Sequence, residues 1–152
     1  MSDRKVIERV WQAPIDLIWE LWTTAEGIAS WFGPRGFTVE VDEIDLRVGG
    51  AFSYTMRATD PDAAAAMEKR GRPTSFSVVS TFTEVDPPNK LAYDSPMLMP
   101  PDTETMTTAV EFSEGPGGVK MVLAISATKP GMTEGAAMGW KSSLERFAEQ
   151  LA

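Results

Sequence analysis

Residues 37–128 form a series of segments in which apolar and polar residues alternate, and this series constrains the fold more than any other feature. Alternation with a period of two is typical of strands that are buried on one face. Turn-forming residues separate the segments, as at Gly49-Gly50, Pro87-Pro88-Asn89 and 114–118. With an opening strand over residues 4–11, the pattern predicts six or seven antiparallel strands joined mainly by short turns.

One predicted strand contains an irregularity. Its apolar residues occupy odd positions over 37–41 and even positions over 44–48. One extra residue near Asp42-Glu43 explains this change of phase, so a β-bulge that bends the strand is expected there. The following strands keep their phase and place Phe52, Tyr54 and Met56, and then Phe76, Val78, Ser80 and Phe82, on single faces.

Helical periodicity flanks the strands at both ends of the chain. Apolar residues recur at helical spacing over 15–22, and a second short helix ends at Gly33-Pro34. After the last strand, residues 133–151 repeat large apolar side chains with a period of 3.6. The order predicts a single α+β domain over residues 1–152, in which a curved antiparallel sheet wraps around a long C-terminal helix and two short helices follow the first strand.

Two segments interrupt this pattern. In residues 60–73, Asp60, Pro61 and four alanines predict a short inserted helix, either a decoration of the sheet edge or a lid over a pocket. Residues 97–101, Met-Leu-Met-Pro-Pro, are interpreted as a turn with three large apolar side chains. That turn either covers a pocket, contacts another chain, or tucks onto the core.

Composition limits the chemistry. The chain has no His and no Cys, which excludes disulfides, thiolate nucleophiles and imidazole bases and argues against a metal site or a cofactor held by such ligands. A net charge of −8 disfavours nucleic acid as a partner. The charged N-terminus and the lack of a long apolar run predict a cytoplasmic protein with no membrane span.

Several motifs, taken in order, resemble a known family. They are Ala13-Pro14 with Trp19, Trp31-Phe32-Gly33-Pro34, Asp45-Leu46-Arg47-Val48-Gly49-Gly50 with Phe52, Glu84-Val85-Asp86-Pro87-Pro88 with Leu91, Thr108-Ala109-Val110-Glu111-Phe112, and Gly139-Trp140 with Leu144. The chain resembles the activator-of-heat-shock-ATPase-homologue family of the START-like (SRPBCC) superfamily. That resemblance implies a helix-grip fold over nearly the whole chain.

The resemblance also implies a cavity between sheet and helix that holds a small apolar molecule in many superfamily members. A strongly curved sheet does not pack flush on a straight helix, which is the physical reason for such a space. The side chains predicted to line it and to bind the ligand are Trp31, Tyr54, Met56, Phe76, Val78, Tyr93, Met121, Leu123 and Trp140.

Three functions follow from the resemblance. Binding of a small apolar ligand ranks first, and a polyketide-cyclase-like reaction in the same cavity ranks second. In the second case the only tyrosines, Tyr54 and Tyr93, are the candidate catalytic residues because a buried phenol can polarise a carbonyl. A co-chaperone-like role with a protein partner ranks third, and whether the protein is an enzyme stays open.

Overall fold

The order of helices and strands in the computed structural model matches the expected α+β arrangement. The structure describes residues 3–71, 73–99, 102–127 and 132–151. Within these ranges the elements are β1 (Asp3–Trp11), α1 (Ile15–Thr23), α2 (Ala25–Trp31), β2 (Phe37–Ile44), β3 (Ala51–Ala58), α3 (Pro61–Lys69), β4 (Ser75–Asp86), β5 (Lys90–Met99), β6 (Asp102–Gly115), β7 (Gly118–Ala127) and α4 (Met132–Leu151).

All seven described strands belong to one antiparallel sheet. Its spatial order is β1-β7-β6-β5-β4-β3-β2, so β1 and β2 form the two edges. Consecutive strands from β2 to β7 are neighbours, and β1 pairs with β7 along its whole length, from Asp3 opposite Ala127 to Trp11 opposite Val119. The sheet packs on α4, which confirms the predicted α+β fold in which a sheet wraps a C-terminal helix.

The core lies between α4 and the inner face of the sheet. On β7, Met121, Leu123 and Ile125 are completely buried, as their alternation predicts. On α4, Leu144 and Phe147 are three residues apart, face the sheet together, and are also buried. Each such side chain stabilises the fold by about 1.5–3 kcal/mol when it leaves water.

An aromatic cluster fills one end of this core. The indole of Trp22 stacks on that of Trp140 with 5.5 Å between ring centroids and 9° between the planes. Trp31 meets Phe147 edge to face at 5.0 Å, and Phe112 meets Trp22 at 5.7 Å in the same way. These contacts join α1, α2, α4 and β6 and leave little space at this end of the molecule.

The bulge in β2 is confirmed, whereas the extension of that strand to Val48 is wrong. The register between β2 and β3 shifts between Val41 and Glu43. The strand then ends at Ile44, and Leu46 and Val48 are 36% and 63% exposed in the turn that follows. A local hydrogen bond from the Gly50 amide to the Arg47 carbonyl closes this turn, so the apolar side chains there do not reach the inner face.

The turn expected at residues 97–101 is also corrected. Met97, Leu98 and Met99 continue β5 and pair with Glu104, Thr103 and Asp102 of β6. Pairing with the threonine-rich start of β6 overrides the weak strand preference of the Met-Leu-Met run. Pro100 and Pro101 lie outside the described residues.

The inserted helix in 60–73 forms as expected. It spans Pro61–Lys69, with Pro61 in its first turn and no buried side chain. Its start contacts the chain near Gly36, whose carbonyl accepts hydrogen bonds from the amides of Thr59 and Asp60. No helix in the described part of the chain combines the length and the apolarity needed to cross a membrane.

The packing of α4 leads to a first prediction. Leu144→Ala removes a side chain that is 2% exposed, so the free energy of unfolding should fall by about 2–5 kcal/mol in urea denaturation. Met138→Ala is the control, because Met138 lies on the same helix and is 74% exposed. Its effect should stay within about 0.5 kcal/mol. Equal losses in the two variants would contradict the burial of this face of α4.

Candidate functional site

A cavity of about 170 Å³ lies between α4 and the inner face of the sheet. Three neighbouring parts of the fold line it: the loop after α2, the inner faces of β3, β5 and β6, and residues 136–143 of α4. The lining residues are Phe32, Gly33, Pro34, Tyr54, Met56, Tyr93, Ser95, Met106, Thr108, Ala136, Gly139, Trp140 and Ser143. The surface they offer is mostly apolar.

The cavity exists because α4 changes character along its length. Its second half fills the interior with Leu144 and Phe147, both buried. The segment 136–143 places Ala136, Gly139 and Ser143 at helical spacing beside the cavity, and these side chains are among the smallest available. Trp140 is the large side chain of this segment that also lines the cavity. A helix with small residues on one half of its inner face leaves a space against the curved sheet.

Arg146 of α4 fixes the loop that borders the cavity. Its Nη1 donates hydrogen bonds to the carbonyl oxygens of Phe32 at 3.4 Å, Gly33 at 2.9 Å and Phe37 at 3.2 Å. Burial, and then the nearby charge of Arg35, lowers the pKa of the Arg146 guanidinium. No ion pair to Arg146 occurs among the described residues, so these carbonyl oxygens are its partners.

Arg35 holds the same loop from outside. It makes an ion pair with Glu149 and a longer one of 3.8 Å with Glu145, both on α4. These side chains are more than half exposed, so the pairs stabilise the fold weakly. The Arg35 amide also donates to Ser142 Oγ at 3.0 Å. The loop is therefore attached to α4 by both partly buried and exposed contacts.

Aromatic rings form much of the wall of the cavity. Phe32 lies edge to face with Tyr54 at 5.1 Å and with Trp140 at 5.4 Å. On the sheet, Phe52 meets Tyr93 edge to face at 5.3 Å. Such mutual packing holds each ring in one orientation, which gives the space a fixed shape.

Most hydroxyl groups of the lining have partners. Ser95 Oγ lies 2.7 Å from Ser80 Oγ, and Ser143 Oγ donates to the Gly139 carbonyl at 3.0 Å. Thr108 faces Tyr93 across β5 and β6 and hydrogen-bonds its phenol. In contrast, the Tyr54 hydroxyl has no hydrogen-bond partner in the described ranges.

Both phenols stay neutral at ordinary pH. Burial raises the pKa of Tyr54 from 10.0 to about 12. Burial and then the neighbouring Tyr54 raise the pKa of Tyr93 further, against the opposing effect of its hydrogen bond with Thr108. A neutral phenol donates a hydrogen bond but does not abstract a proton, so neither tyrosine is suited to act as a general base near pH 7.

The described residues that line the cavity include no charged side chain. Across the described ranges, no group of three or more acidic residues is placed to hold a metal ion. The site therefore offers apolar surface, hydroxyl groups and aromatic rings.

The predicted site residues fall into two sets. Tyr54, Met56, Tyr93 and Trp140 line the cavity. The others lie outside the lining: Trp31, Met121 and Leu123 are completely buried in the core, and Phe76 and Val78 are half-buried elsewhere on the sheet. A ligand-binding role for any of the nine stays a prediction.

Core packing explains why three of the inward residues lie away from the cavity. The Trp31 indole donates to the Leu21 carbonyl at 2.8 Å and belongs to the aromatic cluster. Met121 Sδ accepts from Trp11 Nε1 at 3.3 Å, and Leu123 lies on the same strand face. Alternation along β7 predicts that Met121 and Leu123 point inward, but not whether a neighbour already fills the space in front of them.

Sequence reasoning missed nine lining residues, and patterns in the sequence were available for most of them. Ser95 follows Tyr93 by two positions, and Met106 and Thr108 alternate on β6, so all three share the inner face. Ala136, Gly139 and Ser143 lie one helical turn or less from Trp140 on α4. Phe32, Gly33 and Pro34 belong to the Trp-Phe-Gly-Pro motif, of which Trp31 alone is predicted from the sequence as a lining residue.

One antiparallel sheet wrapped on a C-terminal helix, with a cavity between them, defines the helix-grip class of folds. Comparison with protein families then gives the particular family. Residues 12–152 match the family described as Activator of Hsp90 ATPase homolog 1-like protein, and the chain belongs to this family. The resemblance seen in the sequence motifs is thereby confirmed.

Solved structures agree with this fold over almost the whole chain. The crystal structure of protein CV1439 from Chromobacterium violaceum has a TM-score of 0.81 at 20% identity and covers 97% of this chain and 96% of that one. The AHSA1 protein from Silicibacter pomeroyi has a TM-score of 0.74 at 18% identity, with 98% and 97% covered. The AHSA1-like protein from Aeromonas hydrophila has a TM-score of 0.70 at 24% identity, with 97% and 90% covered. At these identities the likeness shows the fold alone, and no curated protein matches the sequence.

The contacts of Arg146 lead to a second prediction. Arg146→Met keeps the aliphatic packing but leaves the carbonyl oxygens of Phe32, Gly33 and Phe37 without this donor, so the free energy of unfolding should fall by about 1–3 kcal/mol. Arg35→Met removes only exposed ion pairs and should cost less than about 1 kcal/mol. Urea denaturation of both variants checks this order, and the reverse order would contradict the role given to Arg146.

Burial of Tyr54 leads to a third prediction, about alkaline pH. Its pKa is about 12 in the folded protein and about 10 when unfolded, so the folded state retains the proton more strongly and stability falls as pH rises above about 10. Between pH 8 and pH 11 the wild-type protein should lose about 1.4 kcal/mol more than Tyr54→Phe. Urea denaturation of both proteins at the two pH values measures this difference. If the difference in unfolding free energy between the two proteins is the same at pH 8 and pH 11, the burial of the phenol is contradicted.

Proposed function

We propose that this protein binds a small apolar or amphipathic ligand in the cavity between the sheet and α4. The observation that supports this most is a space of about 170 Å³ with a mostly apolar lining and no charged side chain among its described residues. Ligand sites are typically concave, mostly apolar, and supplied with a few polar groups that fix orientation. The hydroxyl groups of the tyrosines, serines and Thr108 correspond to such polar groups.

The entrance of the cavity supports access by a ligand. Pro34, Ala136, Gly139 and Trp140 are half-buried, whereas the deeper lining residues are buried. A methyl group added at Gly139 would meet no atom within 4 Å. The space beside Gly139 is therefore open, and the half-buried residues around it form the side of the cavity from which a small molecule would enter.

The apolar lining supports the same proposal. The space is open to solvent on one side, so its mostly apolar surface is in contact with water. A bound apolar molecule would remove this surface from water, which is favourable through the hydrophobic effect.

The size of the cavity also ranks the alternatives. Pockets for drug-sized ligands occupy about 300–1,000 Å³, so a volume of about 170 Å³ favours a small molecule over a folded polyketide chain. The cyclase-like reaction and the co-chaperone-like role stay predictions that no contact among the described residues favours. Location in the cytoplasm likewise stays a prediction.

Filling the cavity tests the proposal. Gly139→Leu places a side chain at the entrance and should abolish binding of ethylbenzene, used as an apolar probe, in ligand-observed NMR. Met138→Leu changes the neighbouring residue, which is 74% exposed, and should bind ethylbenzene as the wild-type protein does. Native mass spectrometry of the purified wild-type protein should show a co-purified small molecule that Gly139→Leu lacks. Equal binding by all three proteins would overturn the proposal.

A further inference from the structure

The hydroxyl group of Tyr54 is unusual among the hydroxyl groups of the cavity because it lacks a partner in the described ranges. Tyr54 is only 9% exposed, and no hydrogen bond to its oxygen is found in the part of the chain that the structure describes. Buried tyrosine hydroxyls usually find a hydrogen-bond partner, since an unsatisfied buried polar group costs free energy. The indole N–H of Trp140 also has no partner among the described residues, but Trp140 is half-buried at the entrance and is accessible to water.

The Tyr54 oxygen borders the cavity. Only Trp22 Nε1, among the described side chains, is both fully enclosed and without a partner. The Tyr54 oxygen is therefore not fully enclosed by protein atoms. Since Tyr54 is buried and lines the cavity, the space that its oxygen meets is the cavity itself. A bound molecule would therefore supply the hydrogen-bond partner that the described residues do not give to Tyr54.

The neutral phenol favours an acceptor on that molecule. Burial raises the pKa of Tyr54 to about 12, so its proton is present at all physiological pH values. A phenol O–H is a good donor because the group is more acidic than an alcohol. Ser143 and the Ser80 and Ser95 pair use their hydroxyl groups in hydrogen bonds within the protein, and the Tyr93 phenol accepts one from Thr108.

The volume of the cavity and its uncharged lining narrow the class of ligand further. A cavity of about 150 Å³ holds one benzene molecule, so about 170 Å³ accommodates one substituted ring. Phe32, Tyr93 and Trp140 offer aromatic surface on several sides of this space. The described lining has no side chain that would neutralise an ion, and the nearby Arg146 is already occupied by three carbonyl oxygens. Bringing a charged ligand out of water would therefore be costly.

We infer that the cavity selects a neutral molecule with one ring-sized apolar body and a hydrogen-bond acceptor, such as a carbonyl oxygen, that receives the Tyr54 hydroxyl. This inference rests on the ligand-binding function proposed above and adds the class of ligand to it. Tyr54 is then the residue that determines specificity, and the aromatic wall supplies the apolar contact.

Three small probes of similar size test the inference. Acetophenone has a ring and a carbonyl acceptor, ethylbenzene has the same outline without an acceptor, and benzoate has a negative charge. Dissociation constants are measured by ligand-observed NMR titration for the wild-type protein and for Tyr54→Phe. Because one hydrogen bond is lost, Tyr54→Phe should bind acetophenone about three- to tenfold more weakly. Its affinity for ethylbenzene should change by less than about twofold, since the ring of Tyr54 remains. Benzoate should bind neither protein.

Controls separate this inference from the function on which it rests. Tyr54→Phe should unfold at the same temperature as wild type or higher, because the hydroxyl that it removes has no partner in the described ranges. If both neutral probes bind wild type and Tyr54→Phe weakens neither, the acceptor inference is overturned while ligand binding stands. Tight binding of benzoate overturns the inferred neutrality of the ligand. If neither neutral probe binds the wild-type protein, the inference and the proposed function fail together.

Discussion

The packing of α4 against the concave sheet is the interaction on which the rest of the structure depends. Leu144 and Phe147 provide the apolar contact, and the inner faces of β1 and β7 receive it. The same helix then determines where the interior stays open, because small side chains at Ala136, Gly139 and Ser143 face the cavity before the large Leu144 and Phe147 fill the core. The same face of α4 thus lines the cavity and packs in the core, and the passage from one to the other along the helix takes about two turns. A curved sheet makes this division possible, since it diverges from a straight helix at one end.

Arg146 connects that helix to the remaining wall of the site. Its guanidinium is partly buried, yet it meets backbone carbonyl oxygens and not a carboxylate. A charge satisfied in this way fixes the backbone of the loop after α2 without restricting which side chains the loop carries. Gly33, with a φ angle of 97°, allows the sharp change of direction that brings the loop to the guanidinium. The position of Phe32 and Pro34 at the cavity is therefore set by backbone contacts.

Local patterns predicted the architecture because each element obeys its own periodicity. The alternation in β3 and β4 and the bulge near Asp42 are determined by neighbouring residues, and the structure agrees with them. Predictions that depended on distant partners were less successful. The segment 97–99 extends β5 because β6 lies beside it, and Val48 is exposed because it lies within the turn that the Gly50 amide closes. The cavity depends on distant partners most of all: alternation placed Met121, Phe76 and Tyr54 alike on inner faces, and only the full packing shows which of them face open space.

Gly139 carries a consequence for engineering this chain. Glycine inside a helix is destabilising by about 0.5–1 kcal/mol relative to alanine, so a designer who seeks heat resistance would replace it first. A methyl group at this position meets no neighbouring atom, and the helix would accept the change without strain. Larger helix-favouring residues would gain stability in the same way while occupying the entrance. At this position higher thermal stability and an open entrance to the cavity are therefore opposed, which is the form that a trade-off between stability and the proposed ligand binding would take.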